Sequence, residues 1–426
     1  FLVILTVVSI LGIFLSPLLV KLMAPGFMEE PGKLALTIHL NQIMFPYILL
    51  IGLTALTMGA LNSLRHFAFP AFGSSVLNLT LIAAMIFFSS RMGIYAQAAA
   101  VLVGGALQLG LNIPILYKKG LTPALKDGFH HPEHKKIGLL LIPRVLGTSI
   151  YQINIFVDTI LASLAWIVGE GGVAALYYAN RLIQFPLGIF SIALAQAALP
   201  RMSKEAASGD MEKLKDTLSF SLRMILLIIL PTSFGLSLLG RPIIKILFER
   251  GQFDAYSTSI TQQALFFYAF GLVAYSGIKI LVSCFYAMHD TMTPVVTAGI
   301  AVVVNITLNL ILMWPLKIGG LALATSISAT LNFLMLFYIL RRRIGAMDEK
   351  RMVDSFLRVL AASAVMGAAI LVTLRLFAIQ EISSVSMRFI SLFSVIILAG
   401  MIYIAASFIF RVREIGEIYN WISRKR

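Results

Sequence analysis

Apolar residues run along this chain in blocks of about twenty or more, separated by Pro, Gly, Asn and short charged clusters. A helix needs about 20 such residues to cross the hydrocarbon layer of a bilayer. The pattern predicts twelve spans, at roughly 1–24, 38–62, 70–90, 93–117, 137–166, 171–200, 217–240, 258–287, 293–315, 318–341, 355–378 and 386–410. No segment reads as a strand, so the expected fold class is an all-α integral membrane protein.

Composition agrees and excludes a soluble protein. Hydrophobic residues make up 59% of the chain, charged residues 12%, and mean hydropathy is +0.91. A soluble domain carries roughly 25% charge. The net charge of +15 would point to nucleic acid on a soluble chain, but here it falls in the loops and reports topology. With twelve crossings, the side that carries both chain ends collects twenty Lys and Arg residues against nine on the other. The positive-inside rule then places both ends, and the basic stretch KKGLTPALKDGFHHPEHKK (118–136), in the cytoplasm, with that stretch lying on the inner leaflet. A lone cysteine, Cys284, excludes a disulfide framework and reads as a small buried hydrophobe.

The chain repeats itself. Residues 61–71, LNSLRHFAFPA, resemble 285–295, FYAMHDTMTPV, with Pro70 and Pro294 standing 224 positions apart. The same offset places Lys21 on Lys245 and Tyr117-Lys118-Lys119 on Arg341-Arg342-Arg343. VLNLT (76–80) matches VVNIT (303–307) only after a three-residue slip. Two related lobes follow, as in many transporters. The organisation expected is a first lobe of four helices at 1–117, an amphipathic linker at 118–136, a second lobe of six helices at 137–343, and two further helices with a basic tail at 344–426. Phe1 maps near Ile225, and in the second lobe two helices precede that point. The repeat therefore predicts that the first lobe is truncated and that two helices belong before Phe1.

Catalytic signatures are missing: there is no Walker A sequence, no dinucleotide fingerprint and no HExxH, which points away from an enzyme. His130, His131, Glu133 and His134 resemble a metal cluster, but Pro132 interrupts them and a solvated loop is the simpler reading. Chemistry is better sought among ionisable residues inside the spans, which are costly there. Arg223 and Arg358 lie within two turns of a helix end and are expected to snorkel. Arg181 lies about 15 Å into its span, too deep to snorkel easily. It is either an anion site in a polar cavity or half of a structural ion pair. Lys279 and Arg144 lie about 10–12 Å from a helix end and either line the same cavity or snorkel. Asp158 is the one acid well inside a span. Asn305 and Asn309 share a helix face, and Thr325 lies at similar depth on the next helix. One carboxylate with amide and hydroxyl oxygens suits a hard cation such as sodium, or else forms a polar cluster between helices.

The stretch YYANRLIQFPLGIFSIALAQAALPRMS (177–203), with NSLRHFAFPAFGSSVLNLTLI (62–82) and QINIFVDTILAS (152–163), closely resembles the MurJ/MviN lipid II flippases. Their superfamily includes the MATE drug exporters and the polysaccharide flippases. The resemblance implies a MATE-like fold of fourteen helices and a multi-pass location in the bacterial inner membrane, with the C-terminus cytoplasmic. The implied activity is movement of lipid II, an undecaprenyl-diphosphate-linked precursor, to the outer leaflet. Alternating access, driven by membrane potential, sodium or both, is the implied mechanism. Arg181 matches a cavity arginine of the family. Asp158, Asn305, Asn309 and Thr325 fall where the family has a sodium site, although an acid can stand at position 309. The last two helices resemble a pair that forms a groove for the lipid tail. The partners implied are lipid II or a related polyprenyl-diphosphate glycolipid and membrane lipids, with no nucleic acid and a monomeric chain. The rivals are a flippase for another polyprenyl-linked oligosaccharide of O-antigen type, and a MATE-type drug/cation antiporter. The latter is expected to carry acids rather than arginine in its cavity.

Overall fold

The structure, a computed structural model, describes residues 2–66, 68–121, 149–150, 152–377 and 384–416. The principal α-helices among the described residues are labelled in chain order. They are α1 (Leu2–Met23), α2 (Pro31–Met44), α3 (Tyr47–Ser63), α4 (Ala68–Met92), α5 (Tyr95–Lys118), α6 (Gln152–Ala162), α7 (Ala165–Val168), α8 (Gly172–Pro186), α9 (Ala193–Ala207), α10 (Met211–Phe248), α11 (Ala255–Ala287), α12 (Met292–Leu316), α13 (Ile318–Ile344), α14 (Glu349–Phe377) and α15 (Val385–Ile409). Ten helical stretches among the described residues are long and apolar enough to cross a membrane. The span expected at 70–90 contains the shorter apolar segment Ala71–Phe87; of the span expected at 137–166, residues 137–148 and 151 lie outside the described residues, and the described part includes the apolar helix Gln152–Ala162. The chain is thus an all-helical, multi-pass membrane protein.

Two compact units divide it, Phe1–Ile142 and Pro143–Arg426. The repeat read in the sequence reappears in helix ends. Shifted by 224, the bounds of α4 fall on those of α12, and the α2–α3 pair (31–63) falls on α11 (255–287). The turns between them match as well. Arg65 and His289 both adopt positive φ (58° and 60°), and the next residue's N–H closes each helix, His66 onto Leu61 O and Asp290 onto Phe285 O, both at 2.9 Å. This is the left-handed helix stop, which satisfies carbonyls that have no partner within the helix. Because these ends coincide without a slip, Asn78 and Asn305 are not equivalent positions, and the VLNLT–VVNIT match does not belong to the repeat.

Proline shapes the helices and the neighbours repair them. A proline removes the bond to the carbonyl four residues earlier. In α1, Pro17 frees Ile13 O, which accepts from Gln42 Nε2 of α2 at 3.4 Å. In α10, Pro231 frees Leu227 O, which accepts from the Tyr403 hydroxyl of α15 at 2.6 Å. Inside lipid such repairs are required, since no water is present to make them. Pro46 breaks the span expected at 38–62 into α2 and α3. Pro186 ends α8, and a π-helical stretch, Leu187–Ile192, joins it to α9.

The second unit packs tightly around α10, α11 and α13. Phe285, Leu265, Leu272, Ile280 and Leu281 of α11 are fully buried there. Between helices in lipid, van der Waals contact and small residues replace the hydrophobic drive. At Gly271 a Cβ would stand 2.9 Å from the Cα of Ser326, so only glycine permits this approach of α11 to α13. Ser326 Oγ uses the proximity to donate to Phe267 O at 2.8 Å. α14 and α15 lie on α10 through Leu239, Met366, Ile370, Leu392, Val395 and Ala399.

Candidate functional site

Arg181 stands nine residues past the start of α8, about 14 Å along its axis. The side chain is exposed and held by its own helix. Nη2 donates to the Tyr177 hydroxyl at 3.1 Å and Nη1 donates to Gln184 Oε1 at 3.3 Å. Gln184 Nε2 in turn donates to Asn180 Oδ1 at 2.8 Å. The guanidinium carbon also lies 4.9 Å from the centre of the Tyr177 ring, a cation–π distance. Residues 177, 180, 181 and 184 share one helix face by their spacing. All the partners are neutral. Of the two readings open in the sequence, the structural ion pair is not formed among the described residues. What remains is a fixed positive charge with unused donors, suited to an anion.

Just past Arg181 the helix departs from α geometry at Leu187–Ile192. Ser191 of this stretch is fully buried and its Oγ donates to Ser276 Oγ of α11 at 2.8 Å, pinning the bulge to the core. Lys279 of α11 is exposed, and its ammonium has no partner among the described residues. No hydrogen bond joins it to Arg181. Arg144 and the His130–His134 group lie outside the described residues.

The second constellation is brought together as its spacing suggested. Asp158 of α6 is half-buried, whereas Asn305 and Asn309 of α12 are fully buried. Asn309 Nδ2 donates to Asp158 Oδ1 at 2.7 Å and to Asn305 Oδ1 at 2.8 Å. Asn305 Nδ2 donates to Thr325 Oγ1 of α13 at 3.1 Å, and that hydroxyl lies 3.5 Å from Asp158 Oδ2. Asn154 Nδ2 adds a bond to Asp158 Oδ2 at 3.2 Å. One atom is left over: Asn309 Oδ1 is buried and accepts no hydrogen bond. Buried polar atoms are nearly always partnered, so such an exception calls for an explanation. An oxygen-rich cluster with one carboxylate and an orphaned amide oxygen fits a hard monovalent cation. Of Asp158, Asn305, Asn309 and Thr325, the last three have counterparts in the first unit, and all three are apolar. By the 224 offset they are Leu81, Met85 and Val101.

One sequence expectation is overturned. Arg223 does not snorkel. Its guanidinium is buried and pairs with Glu414 at 2.5 Å, both side chains being almost fully covered. Arg358, partly exposed, reaches Asp354 one turn nearer the start of α14, to which Nε donates at 2.9 Å, and the end of α15, where Nη1 donates to Phe410 O at 3.2 Å and Arg411 O at 3.0 Å. Both arginines find partners in the segment after α15, which the span pattern reads only as a basic tail. Asn180, Gln184, Tyr177 and Asn154 were also missed as site residues. Their signal was the i, i+3, i+4 spacing about Arg181 and Asp158.

The chain and its fold are similar to those of known proteins. A family model described as lipid II flippase MurJ matches residues 1–402. The chain belongs to the MurJ lipid II flippase family. One relative, "Probable lipid II flippase MurJ" of Buchnera aphidicola subsp. Acyrthosiphon pisum, is 34% identical over 98% of this chain and 81% of its own length. The MurJ protein of Vibrio cholerae, described in the same words, is 32% identical over 96% of this chain and 79% of its own. A solved MurJ in an inward closed conformation superposes with a TM-score of 0.79 at 26% identity, covering 96% of this chain and 81% of that one. An inward-facing MATE multidrug transporter of the MOP superfamily gives 0.68 at 17% identity, over 82% of this chain and 80% of that one, a likeness of fold alone. MurJ membership makes the chain a transporter-family protein, in keeping with its lack of catalytic motifs.

Proposed function

We propose that this chain moves lipid II, the undecaprenyl-diphosphate-linked peptidoglycan precursor, from the inner to the outer leaflet of the bacterial inner membrane, acting as a monomer with its C-terminus in the cytoplasm. The observation that carries this reading is Arg181, a membrane-depth arginine whose partners are all neutral. Membership of the MurJ family supplies the substrate class. A guanidinium fork matches the oxygens of a diphosphate. The polyprenyl tail stays in lipid or along α14 and α15 while the head group passes.

Transport follows alternating access of the two repeat-related units, the usual logic of such folds. No nucleotide site is required. A potential of 100 mV, negative inside, is worth about 2.3 kcal/mol per elementary charge. Outward movement of an anionic head group is therefore favoured by the potential. Asp158, Asn305, Asn309 and Thr325 would hold sodium, whose inward gradient supplies free energy to reset the carrier. Lys279 and Arg144 add positive charge to the head-group path.

Complementation tests the proposal. Cells depleted of their own lipid II flippase should grow when the gene encoding this chain is expressed. The Arg181→Ala variant should fail to rescue them at equal membrane abundance. Normal growth of that variant would remove Arg181 from the mechanism.

A further inference from the structure

The hydrogen bonds along α8 do more than steady Arg181; they fix which atoms are left to bind. Asn180 Oδ1 accepts from Gln184 Nε2, so Gln184 must turn its carbonyl oxygen to Arg181. That oxygen takes one hydrogen of Nη1, and the Tyr177 oxygen takes one hydrogen of Nη2. A guanidinium has five N–H groups, so three remain. Tyr177 accepts from Arg181 and therefore keeps its own O–H free to donate. Tyr177 is 55% exposed, and Arg181 lies against its ring. Four unused donors thus gather at one place on the helix, and the neighbouring acceptors are already taken.

We propose that Tyr177 is a second direct ligand of the diphosphate, and that Gln184 and Asn180 are positioning residues that hold the Arg181 fork open towards it. This deepens the reading of Arg181 as the head-group site and rests on it. An Arg alone offers charge. The Arg–Tyr pair offers donors on two separate groups, which fits the two phosphates of a diphosphate better than a monophosphate. The specificity expected is for the diphosphate linkage, whatever sugar follows it.

The test is binding of undecaprenyl diphosphate and undecaprenyl phosphate to the purified protein in detergent, by native mass spectrometry, with thermal unfolding recorded for each variant. Tyr177→Phe keeps the ring and the cation–π contact but lacks the hydroxyl. It should lower diphosphate affinity about tenfold and monophosphate affinity much less. Gln184→Leu should weaken both ligands. Gln184→Glu, nearer in shape, should weaken them more, because its carboxylate occupies the guanidinium. A merely structural glutamine would give the reverse order. Arg181→Ala should abolish the preference for either ligand over an uncharged polyprenol. If Arg181→Ala loses binding while Tyr177→Phe and Gln184→Leu bind as the parent does, the inference fails and the Arg181 site stands. If Arg181→Ala binds both ligands normally, the site itself is wrong and the inference falls with it.

Discussion

A single charge inside an apolar helix is the loudest signal this chain carries, and Asp158 and Arg181 show how far it leads. Each stands out because ionisable groups are rare at that depth. What surrounds them was less legible. Neutral polar residues such as Tyr177, Gln184 and Asn154 occur in many spans, and only the folded helix shows that they bond to the charge. For Asp158 the test is direct. Sodium should raise the unfolding temperature of the parent protein relative to potassium at equal ionic strength. Asp158→Asn keeps the shape, removes the charge and should abolish that difference. A sodium effect that survives the substitution would assign the cluster to helix packing alone. Arg223 marks the limit of reading residues one at a time. Its partner, Glu414, lies 191 residues away and beyond the last span, so the sequence pattern could only suggest snorkelling.

At the scale of elements, the segment after α15 is part of the fold. Arg223 of α10 and Arg358 of α14 both close on it, and Tyr403 of α15 repairs the proline break of α10. Breaking a buried pair leaves an uncompensated charge, at a cost of about 3–5 kcal/mol. Arg223→Met should destabilise by about that amount, and Arg223→Met with Glu414→Leu should recover most of it. Equal losses in the single and double variants would contradict the pairing. The turn between α11 and α12 carries a second junction. Asp290 Oδ1 accepts from the N–H groups of Met292 and Thr293 at 3.0 and 2.9 Å, and Oδ2 accepts from Arg343 of α13 at 2.5 Å. Burial opposes its charge. Hydrogen bonds from Thr293 and Arg343, and the Arg343 charge, outweigh burial and hold the carboxyl down to about 2. A lowered carboxylate stabilises the fold above its unfolded value of about 3.9 and loses that contribution as pH falls through about 2. Asp290→Ala should therefore cost about 1–3 kcal/mol near neutrality, with the gap from the parent narrowing between about pH 4 and 2. A gap that stays constant down to pH 2 would contradict this. Helix positions were legible because apolar length sets them. Their joins were not: Pro17 and Pro231 sit inside continuous helices, where tertiary donors take the carbonyls they free, whereas Pro46 and Pro186 stand at helix ends, and the sequence does not distinguish the two cases.

The whole molecule is a duplicated design used unequally. Helix ends and turn stops recur at the 224 offset, yet where the second unit has Asn305, Asn309 and Thr325 the first has Leu81, Met85 and Val101. The duplication was legible in the sequence from a few aligned prolines and basic residues, because a helix stop demands the same backbone wherever it recurs. The inequality was legible only once Asp158, Asn305, Asn309 and Thr325 were seen to meet. The proposed carrier asks of both features a role in transport: alternation of the two units, and sodium binding at the Asp158 cluster. The central claim is that this carrier delivers lipid II to the outer leaflet through Arg181. The most direct measurement is outer-leaflet accessibility of lipid II in cells depleted of their own flippase and expressing the gene for this chain. The account predicts that accessibility returns with the parent sequence and is lost with Arg181→Ala at equal abundance. Well-expressed protein that leaves lipid II inaccessible would contradict the substrate, and restored accessibility with Arg181→Ala would contradict the site.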